Sequence, residues 1–384
     1  RFMTLWMSSK RRCNFSLFLI IGIFSCSEND YSKQEYVLEV SDRKEFIIGQ
    51  GGLTTEGYYI VFLDSAKSKG TIYNEIAHSL DSIFISADSA WSKDGEIMET
   101  EGPYGVGTVF TYFSTPKINM FINSQKFFRQ NVQTKEVSRK FLQEYGVFGD
   151  LKYPSIAISG ASREFTGLDK KDNTGYFDYD FENRIKVIGY SVERDSMFIL
   201  PVALDSSRFY NARFKVRYKG LILGGGEEPQ LSVIGDNLVV SYPSFNDILV
   251  YNLNSGLQNT YTFESKFFPS QKRRPENYRE EVDSGELLWD WQEAWNNQVR
   301  FGSISFIKDM NVYVRSVKGE ENAALFLELF DSNFKKISEL SLSEVNLDLS
   351  TTYFNTKYGL FFRAKEQPVE EVMYYYNVNL VRNK

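Results

Sequence analysis

Cysteine is almost absent from this chain. Its two cysteines, Cys13 and Cys26, both lie within the first 26 residues. The body beyond residue 26 therefore has no disulfide and must be held by its core. Histidine occurs once, as His78, which excludes di-histidine metal sites, His-Glu-x-x-His metalloprotease motifs and two-histidine acid–base schemes. A Ser-His-Asp triad would have to use His78 within NEIAHSLDSIF, and no Gly-x-Ser-x-Gly elbow accompanies it. His78 accordingly reads as a turn or strand-edge residue. No long apolar run is present either. The block from Phe15 to Phe24 is shorter than the roughly 17–25 residues of a membrane-spanning helix. Basic charge is scarce: without Arg1, Lys10, Arg11 and Arg12, the formal charge falls from −6 to about −10. A chain this acidic excludes general nucleic-acid binding, which needs clustered Lys and Arg on phosphates. The one basic cluster, Lys272, Arg273 and Arg274, is followed by Pro275 and Glu276 and reads as a solvated loop.

What is present starts with KRRCNFSLFLIIGIFSC: three basic residues, a short apolar block, and Cys26 after Ser25. A basic n-region, an apolar h-region and a small residue before the cut make a secretory signal peptide, starting at Met3 or Met7. Cys26 at the cut resembles the lipobox of bacterial lipoproteins; an ordinary signal peptide with an incidental Cys is the other reading. The lipobox resemblance implies diacylglycerol on the Cys26 sulfur and a further acyl chain on its freed amine. Two or more chains, at about 0.8 kcal/mol per buried methylene, anchor stably without a span. Ser27 in place of Asp favours the outer membrane, and Glu28, Asn29 and Asp30 resemble the acidic tether of surface-exposed Bacteroidota lipoproteins. The face, periplasmic or cell-surface, stays open. Residues 1–26 are the leader, 27–35 a polar tether and 36–384 the body.

The body is rich in strand formers: 32 Phe and 24 Tyr point to an all-β fold. Short apolar runs such as NLVVSY (237–242), ILVYNL (248–253), NVYVRSV (311–317), LFLELF (325–330) and GLFFRA (359–364) alternate with turn residues. Three segments repeat one strand–turn–strand–turn–strand unit: 118–142, 237–263 and 311–340, with a fourth starting near 359. Their second turns fall at Gln133-Thr134-Lys135, Asn254-Ser255-Gly256 and Asp331-Ser332-Asn333. Units of roughly 40–60 residues are the signature of a β-propeller, here of six or seven blades, with a pair of β-sandwiches as the structural alternative. YVLEVSDRKEFIIG (36–49) is expected to pair with the C-terminal strands and close the ring. The insertion 264–300 breaks the pattern. Leu288, Trp291, Trp295 and Val299 are spaced for one helix face, and Trp289, off that stripe, is a candidate stacking platform for a sugar or peptide.

EGPYGVG (101–107) and NTKYGLFFRA…VMYYYNVNL (355–380) resemble a family of Bacteroidota lipoproteins that carry the domain of unknown function 4221. The resemblance spans nearly the whole mature chain and implies a six-bladed propeller-like body; it brings no catalytic residues. EGPYGVG itself reads as a tight connection, its glycines reaching angles barred to other residues, with Glu101 facing the loop amides or a central channel. GGGEEP (224–229) reads as a turn with solvated Glu227 and Glu228. In DKKDNTGYFDYDFEN (169–183), Asp178 and Asp180 alternate with Tyr179, which places both carboxylates on one strand face. The run does not fit the twelve-residue EF-hand calcium pattern. No metal, cofactor or catalytic residue is assigned. The expected function is a lipid-anchored binding or scaffold module for a protein, peptide or glycan, with Trp289, Glu101, Asp178 and Asp180 as candidate ligand contacts. The alternative is a carboxylate-dependent glycan hydrolase or lyase with an axial site, which needs two Asp/Glu side chains about 5–10 Å apart.

Overall fold

The computed structural model describes residues 35–47, 61–64, 69–75, 79–83, 111–114, 116–122, 126–131, 133–134, 136–152, 166–169, 174–181, 184–212, 214–224, 228–320, 324–356, 359–368 and 372–383. Along the chain come β1 (Tyr36–Val40), β2 (Lys44–Ile47), β3 (Val61–Asp64), β4 (Lys69–Glu75), β5 (Ser79–Ile83), β6 (Thr111–Ser114), β7 (Ile118–Ile122), β8 (Lys126–Asn131) and β9 (Val137–Phe141). Next are β10 (Thr166–Asp169), β11 (Thr174–Phe181), β12 (Arg184–Ser191), β13 (Ser196–Leu200), helix α1 (Ser206–Ala212), β14 (Lys215–Tyr218) and β15 (Leu221–Gly224). Then follow β16 (Gln230–Ile234), β17 (Asn237–Tyr242), β18 (Phe245–Asn252), β19 (Gln258–Thr262), helix α2 (Gly285–Asn296), β20 (Arg300–Ile307), β21 (Val312–Lys318), β22 (Leu325–Phe330) and β23 (Lys336–Ser341). The one-turn helix α3 (Leu342–Val345), β24 (Leu349–Thr356), β25 (Gly359–Ala364) and β26 (Val372–Arg382) complete the chain.

The fold is mostly β, and among the described residues every pairing between strands is antiparallel. Four sheets are four-stranded meanders in chain order: β6–β9, β10–β13, β16–β19 and β20–β23. A three-stranded sheet holds β3–β5, and β14–β15 form a hairpin. In the fifth large sheet the order is β1-β26-β25-β24, with β2 also on β26. The N-terminal strand thus pairs with the C-terminal one, Tyr36 opposite Arg382 and Val40 opposite Val378. The single strand expected over 36–49 is in fact two, interrupted at Ser41–Arg43, both laid on the long β26.

These sheets are sandwiched, and the reason is the period of two along each strand. In β17, Leu238 and Val240 enter the core shared with β10–β13, while Val239 enters the core shared with β20–β23. In β18, Leu249 and Tyr251 follow the first route and Ile248 and Val250 the second. β21 repeats this, with Val312 and Val314 packed against β24 and β25, and Tyr313 packed against β18 and β19. Each face of these sheets therefore lies against a neighbouring sheet.

The turns repeat as well. At the end of β8, Asn131 Oδ1 accepts from the backbone N–H groups of Gln133 and Thr134 at 2.8 and 3.0 Å. Asn252 Oδ1 does the same for Asn254 and Ser255 after β18, and Asp331 Oδ1 for Asn333 and Lys335 after β22. Short polar side chains that bond the backbone two to four residues on define such turns. The three repeat units read in the sequence correspond to the second, third and fourth strands of their sheets. The unit between them, β10–β13, uses Ser191 instead, whose Oγ accepts from Arg194 N–H.

The close approach of β20 and β21 depends on Gly302. A Cβ there would lie 2.7 Å from Ser316 Oγ and 3.0 Å from the Ser316 carbonyl oxygen, and a backbone atom yields less readily than a side-chain tip. Gly302→Ala is expected to cost about 1–3 kcal/mol by overpacking. The check is a lower urea midpoint at unchanged slope; an unchanged midpoint would show that the strands separate freely.

Candidate functional site

Two excursions leave the regular sheets and pack on each other. The first, 201–229, carries α1 and the β14–β15 hairpin; the second, 263–299, carries α2. Tyr278 Oη accepts from Lys215 N–H at 3.0 Å and donates to the Lys215 carbonyl at 2.6 Å. Arg217 N–H donates to the Glu280 carbonyl, Val282 N–H to the Arg217 carbonyl, and Arg274 Nη2 to the Tyr210 carbonyl. Phe214, Val216, Val282, Leu288 and Trp295 form their own buried core, with the Phe214 and Trp295 rings stacked at 5.4 Å. This cap sits on the β17–β18 turn: Asn246 N–H donates to the Ser270 carbonyl and Lys272 N–H to the Ser244 carbonyl.

Helix α2 starts where Ser284 Oγ accepts from Leu287 N–H at 3.1 Å, an N-cap that satisfies an otherwise orphaned donor. Leu288 and Trp295 are buried and Trp291 packs beside them against Tyr278. Val299 does not belong to this face. The helix stops at its C-cap Asn297, and Val299 packs with Phe268, Phe301, Val317 and Phe326 instead. The basic cluster also needs correction. Lys272 is only 5% exposed, its ammonium 4.7 Å from the centre of the Trp295 ring, where the ring's negative face offsets part of its desolvation. Arg273 and Arg274 remain exposed. Trp289 stands 57% exposed on α2, off the buried stripe as its spacing implies.

Beneath the cap, buried and half-buried charges occupy the interfaces between sheets. Arg208 on α1 pairs with Asp247 on β18 and lies 4.4 Å over the Phe245 ring. Burial pushes the Asp247 carboxyl up, and Arg208 opposes that shift. Close by in electrostatic terms, Tyr242 is pushed up by burial and then by Asp205 and Asp247, again against Arg208. In the next interface, Arg315 on β21 faces Glu328 on β22, both fully buried. Arg315 Nε donates to Glu328 Oε2 at 2.8 Å, Arg315 Nη2 reaches Asn246 Oδ1, and Lys336 Nζ lies 3.1 Å from Glu328 Oε1. The guanidinium lies between the Phe301 and Phe330 rings, 5.0 and 5.5 Å from their centres.

Asp178 on β11 is 3% exposed. Burial first, and the Glu228 charge second, push its carboxyl well above the ordinary carboxylate range. Burial thus favours its protonated form. Glu228 is itself half-buried, not solvated. Asp180 pairs with Ile185 in the same hairpin; its side chain, together with Cys26, His78, Glu101 and EGPYGVG, lies outside the described residues. Among the described residues no group of three acidic, His or Cys side chains is placed to hold a metal ion. Sequence reasoning missed Arg208, Asp247, Arg315 and Glu328. Placement inside an apolar run, as in VYVRSV and LFLELF, marks Arg315 and Glu328; Arg208 lies in the polar stretch DSSRFYN and carries no such mark.

Two outcomes follow. Arg315→Met, which leaves the buried Glu328 with Lys336 as its one remaining cation among the described residues, is expected to destabilise by up to about 3–5 kcal/mol, and Arg315→Met with Glu328→Leu to recover most of that. Urea unfolding of both variants checks it; equal losses would contradict the pairing. For Asp178, the folded carboxyl holds its proton to higher pH than the unfolded one, which titrates near about pH 4. Its contribution is complete below that value and is lost as pH rises towards the raised folded value. Asp178→Asn should therefore gain stability over the parent between pH 5 and pH 8, the gap widening with pH; a constant gap would show that Asp178 ionises normally.

No family model matches this sequence, and no curated protein does. Among solved structures, the fold is similar to a member of the DUF4221 family from Bacteroides vulgatus ATCC 8482, with a TM-score of 0.56 at 12% identity over 91% of this chain and 99% of that one. A protein described as exported, from Bacteroides fragilis NCTC 9343, gives a TM-score of 0.45 at 9% identity over 90% of this chain and 96% of that one. The extracellular domain of a protein described as a one-component system, from B. thetaiotaomicron, gives 0.39 at 10% identity over 85% of this chain and 31% of that one. The similarity to the DUF4221 structure, running nearly the full length of both chains, is one of fold.

Proposed function

We propose that the chain is a lipid-anchored, extracytoplasmic β-propeller of the DUF4221 type, acting as a binding or scaffold module for a protein, peptide or glycan. The ring reading is supported by contacts between successive sheets. β10 lies against β16, β16 against β20, β20 against β24, and β24 against β4. Six sheets taken as blades, the last completed by β1 on β26, account for all strands but the cap hairpin. Anchoring rests on the leader and Cys26, with the outer membrane as the expected site. Among the described residues no helix is long and apolar enough to cross a membrane.

The observation that carries the binding reading is the contrast between Trp289 and the charges. Asp247, Arg315 and Glu328 are buried and engaged with one another or with neighbouring side chains, whereas Trp289 projects from a helix fixed by its own core. Aromatic anchors on rigid elements are where binding energy concentrates. The glycan hydrolase or lyase reading keeps one observation, the protonated state favoured at Asp178, which a general acid requires.

Cys26→Ser is expected to abolish acylation and move the protein from the membrane to the soluble fraction, read by mass spectrometry and fractionation. For a partner captured by crosslinking in intact cells, Trp289→Ala should weaken binding by about tenfold or more. Unchanged affinity for every captured partner would remove Trp289 from the site. Glycan cleavage by the parent protein that Asp178→Asn abolishes would replace the binding reading with the enzymatic one.

A further inference from the structure

We infer that the connection between β23 and β24 rests on the lipid surface beside the anchor, with Val345 and Leu347 entering the headgroup layer. This rests on the reading of Cys26 as the acylated residue and adds the part of the body that meets the bilayer. Leu347 is 71% exposed, the most exposed large apolar side chain among the described residues, and Val345 is 45% exposed. Neither belongs to a loose loop. Ser341 Oγ caps α3 by accepting from Glu344 N–H, and Leu342 is fully buried with Tyr36, Leu340 and Leu349. Asn346 Oδ1 accepts from Asp348 N–H at 2.8 Å, and Lys365 N–H donates to the Asp348 carbonyl at 2.7 Å. An apolar side chain held outward by an ordered turn is displayed rather than left over.

The occupant follows from where the chain comes from. Helix α3 packs against β1, and β1 begins ten residues after Cys26. Ten residues reach at most about 35 Å when fully extended, so an acylated Cys26 keeps β1 and its neighbour α3 close to the bilayer. The surrounding chemistry suits that place. Lys365 Nζ donates to the Leu347 carbonyl at 2.7 Å, which sets an ammonium on a long apolar stem at the base of the pair, the arrangement that spans a lipid–water boundary. The nearby carboxylate of Asp348 is engaged, Oδ2 by Tyr376 Oη at 2.9 Å and Oδ1 by Glu366 N–H at 3.0 Å. Leu257 supplies the comparison: it is 69% exposed in the β18–β19 turn of a different sheet.

The mature chain has no cysteine except Cys26, so Leu347→Cys and Leu257→Cys each give one free thiol in the acylated protein. Each would carry an environment-sensitive nitrobenzoxadiazole probe, with the protein reconstituted in phosphatidylethanolamine–phosphatidylglycerol vesicles. The inference expects a blue shift at position 347 and an iodide-quenching constant at least about threefold below that at 257. Equal quenching at the two positions, in protein that floats with the vesicles, overturns the inference and leaves the anchor intact. Protein that does not float overturns both. Shielding at 347 already present in the non-acylated Cys26→Ser protein without vesicles also overturns it, by assigning the patch to the chain's own residues 27–34.

Discussion

A sheet that is apolar on both faces cannot stand alone in water, and that constraint organises this protein. In β17, β18, β21 and β22 nearly every residue is buried, odd and even alike. Alternate side chains feed two different cores, so each sheet is at once the floor of one interface and the ceiling of the next. Met120 and Phe127 of one sheet meet Phe177 and Ile188 of the next; Tyr176 and Val187 meet Leu238 and Leu249; Val239 and Ile248 meet Ile304 and Tyr313. Such a stack needs no disulfide, because removing β10–β13, β16–β19 or β20–β23 would expose two apolar faces rather than one.

The same constraint governs the charges. A polar residue on these strands points into an interface, where an unpaired ion is costly. Three successive interfaces each contain one arginine–carboxylate pair: Arg129 with Asp195, Arg208 with Asp247, and Arg315 with Glu328. Aromatic hydroxyls or rings complete each, as where Tyr145 and Tyr190 both donate to Asp195 Oδ1 at 2.8 Å. Buried pairs contribute little net stability against apolar residues of similar volume, but breaking one is expensive. Arg129–Asp195 and Arg208–Asp247 tie separate elements together, whereas Arg315 and Glu328 are cross-strand neighbours within one sheet and it is Arg315 to Asn246 that crosses to the next.

How much of this was legible depended on how locally each feature is encoded. The hairpins of 118–142, 237–263 and 311–340 stand out because the strands alternate and Asn131, Asn252 and Asp331 mark the same turn in each. The first strand of every four-stranded sheet was missed. β16 and β20 follow long excursions, and QLSVI and RFGSISFI carry serine or glycine where the other strands carry aromatics. The β10–β13 unit was not read as a repeat because its turn uses Ser191, although the alternation of Asp178, Tyr179 and Asp180 did mark its second strand. Lys272 was misread for a related reason. Its neighbours Arg273 and Arg274 are solvated, and the Trp295 ring that accepts its ammonium lies 23 residues further on. On α2 the stripe of Leu288, Trp291 and Trp295 was readable because a helix is local, but its end at Asn297, before Val299, was not.

Saturation of the strands also accounts for where recognition can reside. Side chains of β17, β18, β21 and β22 are committed to their two neighbours, and the buried ions are committed to each other, so these strands have little to offer a partner. In the binding reading proposed above, groups for recognition come from what is added to the sheets. The two excursions supply this: they close a small core of their own around Trp295, cover the β17–β18 turn, and hold α2 rigidly enough that Trp289 is displayed at little entropic cost. A loop bearing the same tryptophan without Phe214, Val282 and Leu288 beneath it would have to be ordered on binding. The helix is already ordered, by residues other than Trp289.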